Sequence, residues 1–135
     1  MLKEEKGIAS IWFGTFETEE DVVRYVEEVY DEHEESHSDF RRDFNLGWYD
    51  DDFQEVGFSE SPAISPAELA TGHSYWDSFA AALPCPSGFR ANAIVIIYDY
   101  RFKPTDAKSN SPLQFLCAVP YQDLNPRPRP WLEIP

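Results

Sequence analysis

Asn92-Ala-Ile-Val-Ile-Ile-Tyr-Asp-Tyr-Arg-Phe102 contains six consecutive apolar or aromatic residues, Ala93 to Tyr98, four of them Ile or Val. Such a run reads as a strand. The lack of polar alternation predicts a central place in a sheet, covered on at least one face. A polar loop, Lys103 to Ser111, follows it and leads to a second apolar stretch, Leu113 to Tyr121, so the pair is expected to form a long hairpin.

Upstream, Ile8 to Phe16 (IASIWFGTF) is β-rich and predicts a first, mostly buried strand. Thr18 then stands as a helix cap, with Glu19, Glu20 and Asp21 in the first turn, where the helix dipole favours negative charge. Val22, Tyr25, Val26, Val29 and Tyr30 follow helical spacing as a core stripe, while Glu20, Glu27, Glu28 and Asp31 fall on the opposite face. Phe40, Phe44 and Leu46 predict a short helix from about Ser38 to Asn45, ended by Gly47. Tyr49-Asp-Asp-Asp52 reads as a turn before a strand at Phe53 to Phe58.

Ser65-Pro66-Ala67-Glu68 has the cap, first-position proline and third-position glutamate of a helix start. A further helix is expected from Ser74 to Leu83, with Tyr75, Trp76, Phe79 and Leu83 as its apolar side and Pro84 and Pro86 as its stop. The resulting order is β-α-(α)-β-α-β-β. It predicts an α+β fold, a small, largely antiparallel four-stranded sheet with helices packed on one face. Residues 1–124 are read as a single domain. Residues 125–135, with Asn125-Pro-Arg-Pro-Arg-Pro-Trp131, are read as a Pro/Arg-rich tail favouring polyproline II, free or docked as a strap.

Charge narrows the function. The formal net charge of the 135-residue chain is −14. Sixteen of its 25 acidic residues lie between Glu17 and Glu55, against three basic ones, Arg24, Arg41 and Arg42. That field repels phosphate backbones and anionic lipid, so nucleic acid and membrane surfaces are excluded as partners, and a cationic protein is favoured. An aromatic content of 16% argues against wholesale disorder. The segment after Met1 lacks a secretory apolar region, and no apolar run approaches the length of a membrane span. A cytoplasmic protein is expected, monomeric or weakly dimeric, with Cys85 and Cys117 as free thiols.

Trp12-Phe-Gly-Thr-Phe-Glu-Thr-Glu-Glu-Asp21, Asp43-Phe-Asn-Leu-Gly-Trp-Tyr-Asp-Asp-Asp-Phe53, Ser74-Tyr75 with Phe79, and Asn92-Ala-Ile-Val-Ile-Ile-Tyr98 occur in this order. As an ordered set, spanning about residues 8 to 121, they resemble the immunity protein 22 family of bacterial polymorphic toxin systems. The residues that carry the resemblance are Trp12, Gly14 and Phe16; Asp43, Phe44, Tyr49, Asp50, Asp52 and Phe53; Ser74, Tyr75 and Phe79; and Asn92, Ala93, Ile94 and Tyr98. The Cys85-Pro86 segment and the Pro-Arg tail depart from the family pattern. The resemblance implies a single α+β domain and a non-enzymatic antidote that binds a cognate toxin, often a nuclease.

The residue chemistry leads to the same expectation. A nuclease needs a basic surface to hold phosphates, and an acidic module can occupy it without chemistry of its own. Glu27, Glu28, Asp31, Glu32, Glu35, Asp50, Asp51 and Asp52 are expected to form the field, with Trp48 and Tyr49 as partly exposed anchors. The plainer alternative makes the acids a solvated helix face and Trp48 a core residue. No catalytic residue, metal or cofactor is expected.

Two motifs compete with this reading. His33-Glu34-Glu35-Ser36-His37 matches H-E-x-x-H, which on a helix would set two imidazoles on one face with Glu34 beside a zinc-bound water. Its flanks are nearly all polar, unlike those of a zinc hydrolase. Asp50-Asp51-Asp52 could suggest calcium, but it lacks the spacing and glycine of an EF-hand loop. An acidic scaffold, with charge serving solubility alone, is the third reading.

Overall fold

The apolar run at Ala93–Tyr98 lies within strand β5 (Ala91–Phe102), an interior strand of a four-stranded antiparallel sheet. The others are β1 (Leu2–Gly14), β4 (Gln54–Ala63) and β6 (Leu113–Pro120), in the order β4-β5-β1-β6. This arrangement comes from a computed structural model that describes residues 1–30, 32–33, 36–104 and 111–124. The expected β5–β6 hairpin is not formed, because β1 lies between them, pairing Trp12 with Val95 on one side and with Phe115 on the other. The apolar centre of β1 is flanked by both neighbours, so its backbone groups are paired on both edges.

Residues of β5 alternate between two cores. Ile94, Ile96 and Tyr98 pack with Ile11, Leu69, Ala70, Phe79 and Phe89. Val95 and Ile97 pack with Trp12, Tyr25, Val26, Phe40, Leu46 and Tyr49. Asp99, at φ 65°, lies opposite an irregularity of β1 between Glu4 and Ala9. The break shifts the alternation by one residue, so Tyr100 and Phe102 join the Val95 side. Buried Ser10 satisfies the backbone there, donating to the Tyr100 carbonyl at 2.8 Å and accepting from the Phe102 N–H at 2.9 Å.

Helices therefore cover both faces of the sheet, not one as expected. Helices α1 (Glu19–Val26) and α2 (Asp39–Asp43) supply Tyr25, Val26 and Phe40 to one core, and α3 (Pro66–Ala70) and α4 (Trp76–Phe79) supply Leu69, Ala70 and Phe79 to the other. The reason is the unbroken apolar character of β5, which leaves no polar face to give to water.

The side-chain caps form where the sequence places them. Thr18 accepts from the Asp21 N–H at 3.1 Å, and Ser65 accepts from the Glu68 N–H at 3.2 Å. Ser38 accepts from the Arg41 N–H at 3.0 Å, opening α2 at the start expected for it. The extent of α1 differs from the expectation. It stops at Val26, and Val29 and Tyr30 leave the core stripe to form a short hairpin of β2 (Val29–Tyr30) with β3 (Ser36–His37). Glu27 is in extended backbone, and Glu28 instead meets Arg41 in an ion pair. The expected helix at 74–83 starts only at Trp76, because Tyr75 sits in the left-handed region at φ 60°, and it divides into α4 and a 3₁₀ turn, Ala80–Ala82, at Phe79, whose φ of −133° is not helical. Phe79 is buried as expected, whereas Tyr75 and Trp76 are exposed. The Pro/Arg-rich tail at 125–135 lies outside the described residues. No helix among the described residues is long and apolar enough to cross a membrane.

Candidate protein-interaction site

Between α2 and β4 the chain runs Leu46-Gly-Trp-Tyr-Asp-Asp-Asp-Phe53, and its side chains are sorted sharply by depth. Leu46 and Tyr49 are buried, while Trp48 is 73% exposed. The Asp50 carboxylate accepts from the Asp52 N–H at 3.0 Å, and the Asp50 carbonyl accepts from the Phe53 N–H at 3.1 Å, closing a 3₁₀ turn at Asp51–Phe53. The Asp50 N–H donates to the Tyr100 hydroxyl at 3.1 Å, and the Tyr49 hydroxyl donates to Gln54 at 2.6 Å. This turn is therefore fixed to β5 and to the root of β4. It holds one carboxylate oxygen from each of Asp50, Asp51 and Asp52 within 4.8 Å of one another. Phe53, 41% exposed, borders the cluster and packs against Tyr100 with ring centroids 6.5 Å apart.

Tyr49 was expected as an exposed anchor. Its burial corrects that expectation: the ring fills the core beside Val95 and Ile97. Burial raises its phenol above the ordinary range, and the negative charge of Glu28 adds to this, opposed by Arg41 and reinforced by Asp51.

Glu28 is a second correction. Its side chain is only 10% exposed, with Oε1 accepting from Arg41 Nη1 at 3.3 Å and Oε2 buried without a hydrogen-bond partner. Arg41 has drawn it inward and out of the exposed field. Glu27, Glu32, Asp51 and Asp52 are exposed, and Asp50 is half-buried. Asp31 and Glu35 lie outside the described residues.

The described residues of the H-E-x-x-H segment are not helical. His33 lies in a turn and His37 in β3 opposite Val29, so the spacing does not set the two imidazoles on one helical face. Glu34 lies outside the described residues. The zinc-hydrolase alternative loses its geometric basis.

A polar network on the other face was not anticipated. Glu55, the second residue of β4, accepts from the Ser74 N–H at 3.0 Å and from the Ser74 hydroxyl, and lies 3.1 Å from His73 Nδ1. His73 in turn lies over Gly57, where a Cβ would come within 2.4 Å of Nε2. A side chain there would have to displace the His73 ring. A glycine in mid-strand two residues after a glutamate was the available signal.

Burial alone would raise the Glu55 carboxyl, but its hydrogen bonds to Ser74 and His73 outweigh burial and hold it below the usual range. Because the folded-state value is depressed, the stabilisation is fully present above the unfolded value and is lost as pH falls through the folded one. Thermal unfolding followed from about pH 6 to about pH 3 should show a steeper loss in the wild type than in Glu55→Gln.

Among protein-family models, one described as Immunity protein 22 matches residues 9–122. No curated protein and no solved structure matches the chain.

Proposed function

The chain belongs to the immunity protein 22 family, and on that premise we propose that it neutralises a cognate bacterial toxin by docking the Asp50–Asp52 turn and Trp48 onto a basic surface. One observation carries the reading. A large ring, 73% exposed, comes two residues before three clustered carboxylates on a turn tied to the sheet. Exposed tryptophan is costly to leave in water and is enriched among the residues that dominate interfaces. Clustered carboxylates speed encounter with a cationic partner and reject anionic ones.

Glu27 and Glu32, exposed on and beside the hairpin arm, extend the field. The partner chemistry that fits is a basic nuclease, whose phosphate-binding surface would be covered without any catalysis by this chain. The chain would act in the cytoplasm of the cell that makes the toxin.

Co-expression tests the reading. A toxin domain encoded beside this gene should arrest growth when produced alone and permit growth when this chain is present. Purified together, the two should form a complex whose association slows with added salt. Continued arrest despite folded, abundant antidote would reject the pairing, and a complex indifferent to salt would reject the electrostatic mode. An acidic scaffold, the other non-catalytic reading, would tolerate neutralisation of Asp50–Asp52.

A further inference from the structure

Gln54 and Glu55, the first two residues of β4, project to opposite faces of the sheet, and each is held there. On the α1 side, Gln54 accepts from the Tyr49 hydroxyl at 2.6 Å. On the α3 side, Glu55 accepts from the Ser74 N–H at 3.0 Å and from the Ser74 hydroxyl. Ionised Glu55 has no proton to give, so the 3.1 Å contact with His73 is an Nδ1–H donating to it. The loop carrying His73 and Ser74 is itself fastened, since the Tyr98 hydroxyl donates to the Ser74 carbonyl at 2.5 Å. The acidic turn ends immediately before this doubly held point.

We propose that Glu55, His73 and Ser74 are positioning residues for the docking turn. They clamp its root from the face away from the turn's own core contacts and so preset the three carboxylates for a partner. The clamp opposes a specific difficulty. Three like charges gathered within 4.8 Å repel one another, and a loosely rooted turn would splay. A turn ordered before encounter does not lose that freedom on binding, which tightens the complex without a new contact. Gly57 belongs to the same device, because a side chain there would push His73 off its seat.

The functional consequence rests on the docking role proposed above, but the clamp can be tested without any toxin. Amide hydrogen exchange in the full chain would be compared between wild type, Glu55→Ala and His73→Ala. The amides of Asp52 and Phe53, whose bonds define the turn, should exchange about tenfold faster in both variants, while those of α1 stay unchanged. Where either variant fails to fold, Ser74→Ala serves, removing one hydroxyl bond while leaving the strand intact.

Unchanged exchange at Asp52 and Phe53 would overturn the proposal. So would uniform acceleration across α1 and the sheet, which marks a merely structural role. With a toxin in hand, His73→Ala should speed dissociation and leave association unaltered, since the docking charges are untouched. Failure of that arm alone, with exchange at the turn accelerated and the Asp50–Asp52 variant still impaired, would overturn the functional part and spare the docking role. An Asp50–Asp52 variant that binds like wild type would instead indict the docking role itself.

Discussion

Replacing Trp12 with alanine should destabilise the protein by about 3–5 kcal/mol, a large share of the roughly 5–15 kcal/mol that holds a domain folded. The indole is fully buried in β1, where it meets four phenylalanine rings drawn from three separate parts of the chain. Phe40 stands edge-on at 5.0 Å and 89°, with Phe102 at 5.2 Å, Phe115 at 5.3 Å and Phe44 at 5.9 Å between ring centroids. Those rings come from α2 and the residue that ends it, from β5 and from β6. A void at position 12 would therefore border elements that cannot collapse together without breaking the sheet. Edge-to-face aromatic pairs add to the area term, so the loss should fall toward the upper part of the range.

The indole Nε1 is buried without a hydrogen-bond partner. Trp12→Phe removes that orphaned donor together with part of the ring, so it should cost less than half as much as the alanine variant. Urea unfolding followed by far-UV circular dichroism would measure both. A loss below about 1 kcal/mol for Trp12→Ala would show that the site can relax, and that the ring cluster is not the keystone of this core.

The features legible beforehand are those decided within a few residues. An unbroken, largely β-branched run from Ala93 to Tyr98 reads as a central strand, and Thr18, Ser38 and Ser65 can each reach an amide three residues ahead. Strand neighbours are a different matter. Whether Leu113–Pro120 pairs with β5 or with β1 depends on which edge is left open, and no local pattern reports that. The same holds for the Asp99 irregularity, which moves Tyr100 and Phe102 to the other face.

The candidate site was legible as a composition and not as a surface. Trp48 and Tyr49 are adjacent and chemically alike, yet one is exposed and the other buried. In a loop, no period assigns neighbouring side chains to inside or outside. Glu28 is acidic like its neighbours, but Arg41, thirteen residues away, recruits it into a nearly buried ion pair. Charge counting along a helix face cannot register a partner supplied from elsewhere. The Glu55–His73 network was hidden for the same reason, since its members stand eighteen residues apart.

Replacing Trp48 with alanine and Asp50, Asp51 and Asp52 with asparagine in one variant should weaken toxin binding about 1,000-fold, or about 4 kcal/mol, with the fold intact. Two physical effects combine. Loss of an anchoring tryptophan removes at least about 2 kcal/mol at a hot spot, which appears mainly as faster dissociation. Loss of three clustered charges lowers the electrostatic rate of encounter, and this part of the deficit should shrink in high salt.

The fold should survive because Trp48 contributes little buried surface, and because asparagine at 50 retains the side-chain oxygen that accepts from the Asp52 N–H. Relief of repulsion among the three carboxylates works in the same direction. Removing three charges at Glu17, Glu19 and Glu60, which line a separate cleft beside the start of α1, makes the matched control. That control should slow association slightly and leave dissociation untouched. Surface-plasmon kinetics at two salt concentrations would separate the two effects. If the four-site variant instead binds like wild type while unfolding at the same temperature, the toxin docks elsewhere. If the Glu17, Glu19 and Glu60 control is the impaired one, the docking face lies beside α1.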